Sequence, residues 1–143
     1  MLKLQNVIGR GFYEKYGGSH AEINAINQVK RNYKKNYFSQ LADSDIYITL
    51  EPCSKKGKTG ACVNELKKYD FKRIIIGSKD PTQNGLKNLQ RAGYEVIDLD
   101  NHQCLDLNKS FFHKTKFKKP YVKAKIAMSS DHKSVFTSKQ KKW

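Results

Sequence analysis

Four residues in this 143-residue chain have the types and spacing of a hydrolytic metal centre: His20, Glu22, Cys53 and Cys62. One imidazole and two thiolates are three soft-to-borderline ligands. Three protein ligands leave the fourth tetrahedral position of a zinc ion open to water, the mark of a catalytic rather than a structural site. Zinc lowers the pKa of such a water from nearly 16 to about 7. Proton transfers are still needed, and Glu22, two positions past His20, is the carboxylate placed to make them. A four-ligand structural site would have to recruit His102 or Cys104; Cys104 shares its predicted helix with Leu105 and Leu107 and reads as a core residue.

The elements that must position these groups follow from the apolar pattern. Asn6 to Phe12 reads as a strand, and Gly17-Gly18 as a turn with Ser19 placed to cap a helix. That helix begins at His20, carrying Ala21, Ile23, Ala25, Ile26 and Val29 on one stripe. Asp45 to Leu50 reads as a strand stopped by Pro52, and Ala61 to Tyr69 as a second helix. Both halves of the metal site therefore sit near helix N-termini, where unpaired N–H groups favour thiolates.

Arg73 to Gly77 is a strand whose unbroken Ile74-Ile75-Ile76 implies burial on both faces. Leu86 to Ala92 reads as a helix ended by Gly93, Tyr94 to Leu99 as a strand, and the stretch after Asn101, to Phe112, as a helix. A basic connector, Lys114 to Lys119, leads to a strand-like segment from Tyr121 to Met128. The alternation of strands and helices predicts an α/β fold, a three-layer α/β/α sandwich with parallel strands. The expected organisation is one domain over 1–114, with 115–143 as connector and an additional strand.

Composition narrows the setting. There are 28 Lys and Arg against 13 Asp and Glu, a formal charge of +15, which suits either nucleic acid or a phosphorylated small molecule. The lysines are spread from Lys3 to Lys142 as a solvated surface would have them, so nucleic acid is the less favoured partner. No apolar run of membrane-spanning length and no signal-peptide pattern is present. Three cysteines, two in a metal-ligand pattern, fit a reducing, cytoplasmic setting.

His-Ala-Glu opening a helix and Pro-Cys beginning the loop after a strand form the pattern of the zinc nucleobase deaminases, whose Glu is not a ligand. More specifically, the chain resembles the deaminase half of the bifunctional riboflavin-biosynthesis deaminase/reductases, a cytidine-deaminase-like family. The resemblance rests on Gly17 to Ile26 (GGSHAEINAI), Ile48 to Cys62 (ITLEPCSKKGKTGAC), Asp80-Pro81, Gly93-Tyr94-Glu95-Val96, Leu107 to Phe111, and Pro120 to Asp131. Eight residues separate Cys53 from Cys62, whereas cytidine, DNA-cytosine and tRNA-adenosine deaminases use a two-residue gap.

This resemblance implies hydrolytic removal of the ring amine of 2,5-diamino-6-ribosylamino-4(3H)-pyrimidinone 5′-phosphate. It also implies substrate contacts from Lys58, within Gly57-Lys58-Thr59, and from Asp80. The chain departs from the family pattern at Tyr13 and Lys55, where histidines are usual, at Gly60-Ala61 in place of two prolines, and at Thr82 in place of Asn. Nothing before Asn6 supplies the family's usual N-terminal helix and strand: either the true start lies upstream, or the gene is eroded, or a second subunit of a homo-oligomer completes the pocket. The segment from Pro120 resembles the opening of a reductase domain, which implies a separate reductase polypeptide as partner. The competing readings are an RNA (tRNA) nucleobase deaminase and a catalytically inactive zinc-binding remnant.

Overall fold

A computed structural model describes residues 1–4 and 6–133. Five strands form one mixed sheet in the order β2-β1-β3-β4-β5. They are β1 (Leu2–Lys3), β2 (Asn6–Val7), β3 (Asp45–Ile48), β4 (Arg73–Ile76) and β5 (Val96–Asp98). The last three are parallel, with Ile46 opposite Ile74 and Ile74 opposite Val96. β1 runs antiparallel to both β2 and β3, and β2 forms the narrow edge on that side.

The helices are α1 (Ala21–Tyr33), α2 (Tyr37–Leu41), α3 (Cys62–Leu66), α4 (Gly85–Arg91), α5 (His102–Leu107) and α6 (Lys109–Phe117). α1 packs on α3, and α3 on α4, making a layer over one sheet face. Its core joins Ile26 and Val29 of α1, Leu66 of α3 and Leu89 of α4 to Ile46, Ile74 and Ile76 of the sheet. Each such side chain contributes about 1.5–3 kcal/mol on burial.

Side chains alternate along a strand, so Ile75 faces the other way from Ile74 and Ile76. All three are buried, as their unbroken run predicts for a central strand. On the second face α5 comes against the end of β4, where Cys104 lies so close that a Cβ on Gly77 would stand 2.4 Å from its Sγ. That outer layer does not extend over β3, whose Tyr47 remains 51% exposed.

Several expected boundaries shift. The single strand expected over 6–12 is cut to Asn6–Val7, because Gly9 and Gly11 turn inward to pack on α1. A Cβ at Gly11 would lie 2.1 Å from the Ala21 carbonyl oxygen. His20, in extended conformation, is the N-cap of α1, and Ser19 lies one residue outside it. The helix expected after Asn101 begins there, at His102, but is divided at Asn108 into α5 and α6, and α6 runs on to Phe117, across the boundary placed after residue 114. Tyr121–Met128 forms no strand among the described residues: it has no ladder partner, and Val122 and Ile126 are exposed. The remainder of the expected C-terminal segment, 134–143, lies outside the described residues.

A candidate metal centre and the adjoining cavity

The loop after β3 and the starts of α1 and α3 converge on one point. His20 is fixed there because its carbonyl accepts the Asn24 N–H at 3.0 Å as α1 begins, while the ring of Tyr13 stands edge-on to the imidazole at 5.5 Å. Cys53 follows Pro52, which is fully buried. The Val63 N–H donates to the Cys53 carbonyl at 3.2 Å, tying the loop to the first turn of α3.

His20 Nδ1 consequently lies 3.6 Å from Cys53 Sγ and 3.3 Å from Cys62 Sγ. The three donor atoms all fall within 4.8 Å of one another. Ligands at ordinary zinc–nitrogen and zinc–sulfur distances in a tetrahedron stand about 3.6 Å apart, so this donor set fits a zinc ion. Cys104 is not a member of the group; it packs on Gly77, as a core reading of that residue requires.

The electrostatics of the cluster push its two thiols in opposite directions, Cys53 toward the thiolate and Cys62 toward the neutral thiol. Hydrogen bonding with the Cys62 side chain leads the lowering of the Cys53 thiol to about 5, assisted by the Cys62 N–H, which donates to Cys53 Sγ at 3.2 Å, and by His20. The same side-chain bond, followed by burial and the nearby Glu22 carboxylate, pushes the Cys62 thiol up. Glu22 is itself 8% exposed, and burial raises its carboxyl above the ordinary range. Against this act its main-chain hydrogen bond, His20 and Cys62. A buried carboxyl with an elevated proton affinity is suited to receiving and returning a proton near neutrality.

An open cavity of about 380 Å³ lies in front of this cluster, with Glu22, Asp80, Gln83 and Asn108 in its wall. Asp80 is 9% exposed, and its Oδ1 accepts from the Thr82 N–H (2.8 Å) and hydroxyl (2.6 Å). Lys58 does not line that cavity. It lines an adjoining one of about 300 Å³ together with Lys55 and Lys56, and its Nζ sits 4.0 Å from the centre of the Tyr16 ring. Tyr13, His20, Cys53 and Gln83 border both spaces.

Two further residues organise the site. Glu51, 7% exposed, accepts the main-chain N–H groups of Asp80 and Leu86. An acid between a buried strand and a Pro-Cys pair is a visible oddity, and could have been singled out from sequence. Gln83 carries no comparable sequence signal, because its partners are Ser54 and Lys55, far away in the chain.

Comparison with known proteins agrees with this geometry. Residues 2–78 match the model of the cytidine and deoxycytidylate deaminase zinc-binding region. The riboflavin biosynthesis protein RibD of Actinobacillus pleuropneumoniae is 36% identical over the whole of this chain, which spans 37% of that relative's length. The diaminohydroxyphosphoribosylamino-pyrimidine deaminase of Buchnera aphidicola subsp. Schizaphis graminum is 35% identical over 78% of this chain and 74% of its own. Among solved structures, RibD of Acinetobacter baumannii superposes with a TM-score of 0.77 at 30% identity, over 99% of this chain and 39% of that one. The chain belongs to the cytidine and deoxycytidylate deaminase zinc-binding family, within its riboflavin-biosynthesis deaminase branch.

Proposed function

We propose that this chain hydrolyses the ring amine of 2,5-diamino-6-ribosylamino-4(3H)-pyrimidinone 5′-phosphate, giving 5-amino-6-(5-phosphoribosylamino)uracil and ammonia. The observation that carries this reading is the convergence of His20, Cys53 and Cys62 beside the buried Glu22 carboxylate, with His20, Glu22 and Cys53 lining an open cavity. The Buchnera relative, of which this chain covers 74%, bears the name of that deaminase.

His20, Cys53 and Cys62 hold zinc in this reading. When bound, the ion supplies the Lewis acidity that makes water nucleophilic at neutral pH. Glu22 takes a proton from the attacking water and delivers it to the ring nitrogen. As the carbon–oxygen bond becomes a carbonyl, Glu22 moves the second proton to the amine, the carbon–nitrogen bond breaks, and ammonia departs. Water in and ammonia out balance the reaction. Asp80 faces the substrate from the cavity wall, and Lys58, with Lys55 and Lys56 around the adjoining space, gives the 5′-phosphate a cationic destination.

The Thermotoga maritima relative is titled a deaminase joined to a reductase of 5-amino-6-(5-phosphoribosylamino)uracil, so the product proposed here is the substrate named for that second activity. A reductase that consumes this product is the partner activity this reading calls for, in a cytoplasmic setting. No described helix is long and apolar enough to cross a membrane.

The test is ammonia release from the diaminopyrimidine ribotide by zinc-loaded protein, with Glu22→Gln beside it. Turnover should fall by about 10²–10⁴-fold in the variant while zinc is retained. Zinc-loaded protein that is silent on the ribotide would refute the assignment. An RNA substrate would instead show itself by binding that weakens steeply with salt.

A further inference from the structure

Two loops meet at the cavity wall: residues 53–55, which begin with a proposed zinc ligand, and the turn at 80–84, which begins with Asp80. Between them stands one side-chain oxygen. Gln83 Oε1 accepts from the Ser54 N–H at 2.9 Å, the Ser54 hydroxyl at 3.1 Å and the Lys55 N–H at 3.3 Å. The amide orientation is fixed by chemistry: two main-chain N–H groups point at this atom, and an NH₂ group could satisfy neither.

The same junction is tied from the other side. Asn84 N–H donates to Ser54 Oγ at 3.1 Å, and Lys55 Nζ donates to the Thr82 carbonyl at 2.9 Å. Within the turn, Thr82 donates twice to Asp80 Oδ1, and the Gln83 N–H donates to the Asp80 carbonyl at 3.1 Å. The position of Asp80 relative to Cys53 is therefore transmitted through Gln83, Thr82 and Lys55. Lys55 and Thr82 are two of the positions at which the sequence departs from the family pattern, and here they bond to each other.

We propose that Gln83 is a positioning residue whose side-chain carbonyl clasps the 53–55 loop to the Asp80 turn, and so sets the substrate wall of the cavity. It needs no contact with the reacting atoms. The part concerning substrate rests on the deamination reading above; the clasp itself does not.

The acceptor role separates from a packing role by substitution in the zinc-loaded full chain. Gln83→Leu keeps the bulk and removes the acceptor; Gln83→Glu keeps the acceptor; Gln83→Asn keeps the amide but shortens its reach. Amide hydrogen exchange at Ser54 and Lys55 should quicken about tenfold or more in Gln83→Leu, moderately in Gln83→Asn, and hardly at all in Gln83→Glu, with zinc content unchanged. KM for the ribotide should rise about tenfold in Gln83→Leu with kcat within about threefold of wild type, and Gln83→Glu should restore it.

Wild-type exchange in Gln83→Leu would overturn the proposal, as would equal impairment of the Leu and Glu variants. If Gln83→Leu fails to fold, wild-type exchange in Gln83→Asn serves the same purpose. Silence of the wild-type protein on the ribotide would remove the deamination reading and leave the clasp to be decided by exchange, which requires no turnover.

Discussion

The carboxylate of Glu51 accepts the main-chain N–H of Asp80 at 3.0 Å through one oxygen, and that of Leu86 at 2.9 Å through the other. A residue two positions before a proposed zinc ligand thereby holds both the Asp80 turn and the first turn of α4. Replacing Glu51 with Ala leaves two N–H groups unpaired in a closed setting, at a cost of about 1–3 kcal/mol each. Urea unfolding of zinc-loaded protein should show this as a lower midpoint with little change in slope. A loss under about 0.5 kcal/mol would mean that water replaces the carboxylate.

Gly85 opens α4 directly beneath the metal loop. A Cβ there would lie 2.0 Å from the Pro52 carbonyl oxygen and 3.1 Å from its carbon, and main chain cannot swing aside as a flexible side chain can. Gly85→Ala should therefore cost about 1–3 kcal/mol and weaken zinc retention, since the displaced segment leads into Cys53. Thermal unfolding and metal content after dialysis check the two halves of this expectation.

Zinc bound only by the folded chain must stabilise that chain by mass action. Chelation should lower the unfolding temperature of the wild-type protein, and Cys62→Ser should behave like the chelated protein whether or not chelator is present. Glu22→Gln should keep a chelator-sensitive midpoint, since Glu22 is not among the three metal-holding residues. Differential scanning fluorimetry with parallel zinc analysis distinguishes these patterns.

Arg73 pairs with Asp45 through two hydrogen bonds, of 2.9 and 2.5 Å, across the start of the parallel β3–β4 pair. The bond to Arg73 leads the lowering of the Asp45 carboxyl below its ordinary value of 3.8. A carboxyl with a depressed folded-state pKa contributes stability that is present above its unfolded value and lost as pH falls through the folded one. Asp45→Asn should thus be less stable than wild type at pH 7, and the difference should narrow below about pH 4. Arg73 is partly exposed, so added salt should shrink the difference at pH 7 as well. Melting curves across pH and salt test both trends.

The parts of this molecule legible from sequence are those encoded by local order. Ile74-Ile75-Ile76 could belong only to a strand covered on both sides, and β4 lies at the sheet's interior position between β3 and β5. Of the expected stripe Ala21, Ile23, Ala25, Ile26 and Val29, the last three are buried, while Ala21 and Ile23 are only half-buried. Strand lengths were less legible: Asn6 to Phe12 has strand composition, yet only Asn6–Val7 is paired, because the close approach of Gly9 and Gly11 to α1 draws the chain out of the sheet. For Tyr121–Met128, alternation alone could not provide the neighbouring strand that a ladder requires.

The same division runs through the site. Candidate metal ligands and a proton-transferring acid are matters of residue type and spacing, so His20, Cys53, Cys62 and Glu22 could be selected from the chain before any coordinates, and the fold brings the three donor atoms within 4.8 Å. Lys58 and Asp80 were expected at the site only through the family resemblance, and the folded chain assigns them to different cavities. Gln83 and Ser54 are 29 positions apart, as are Glu51 and Asp80. A one-dimensional pattern records periodicity and neighbours along the chain; which side-chain oxygen meets which distant N–H is decided only when parallel strands bring two loops to the same end of the sheet.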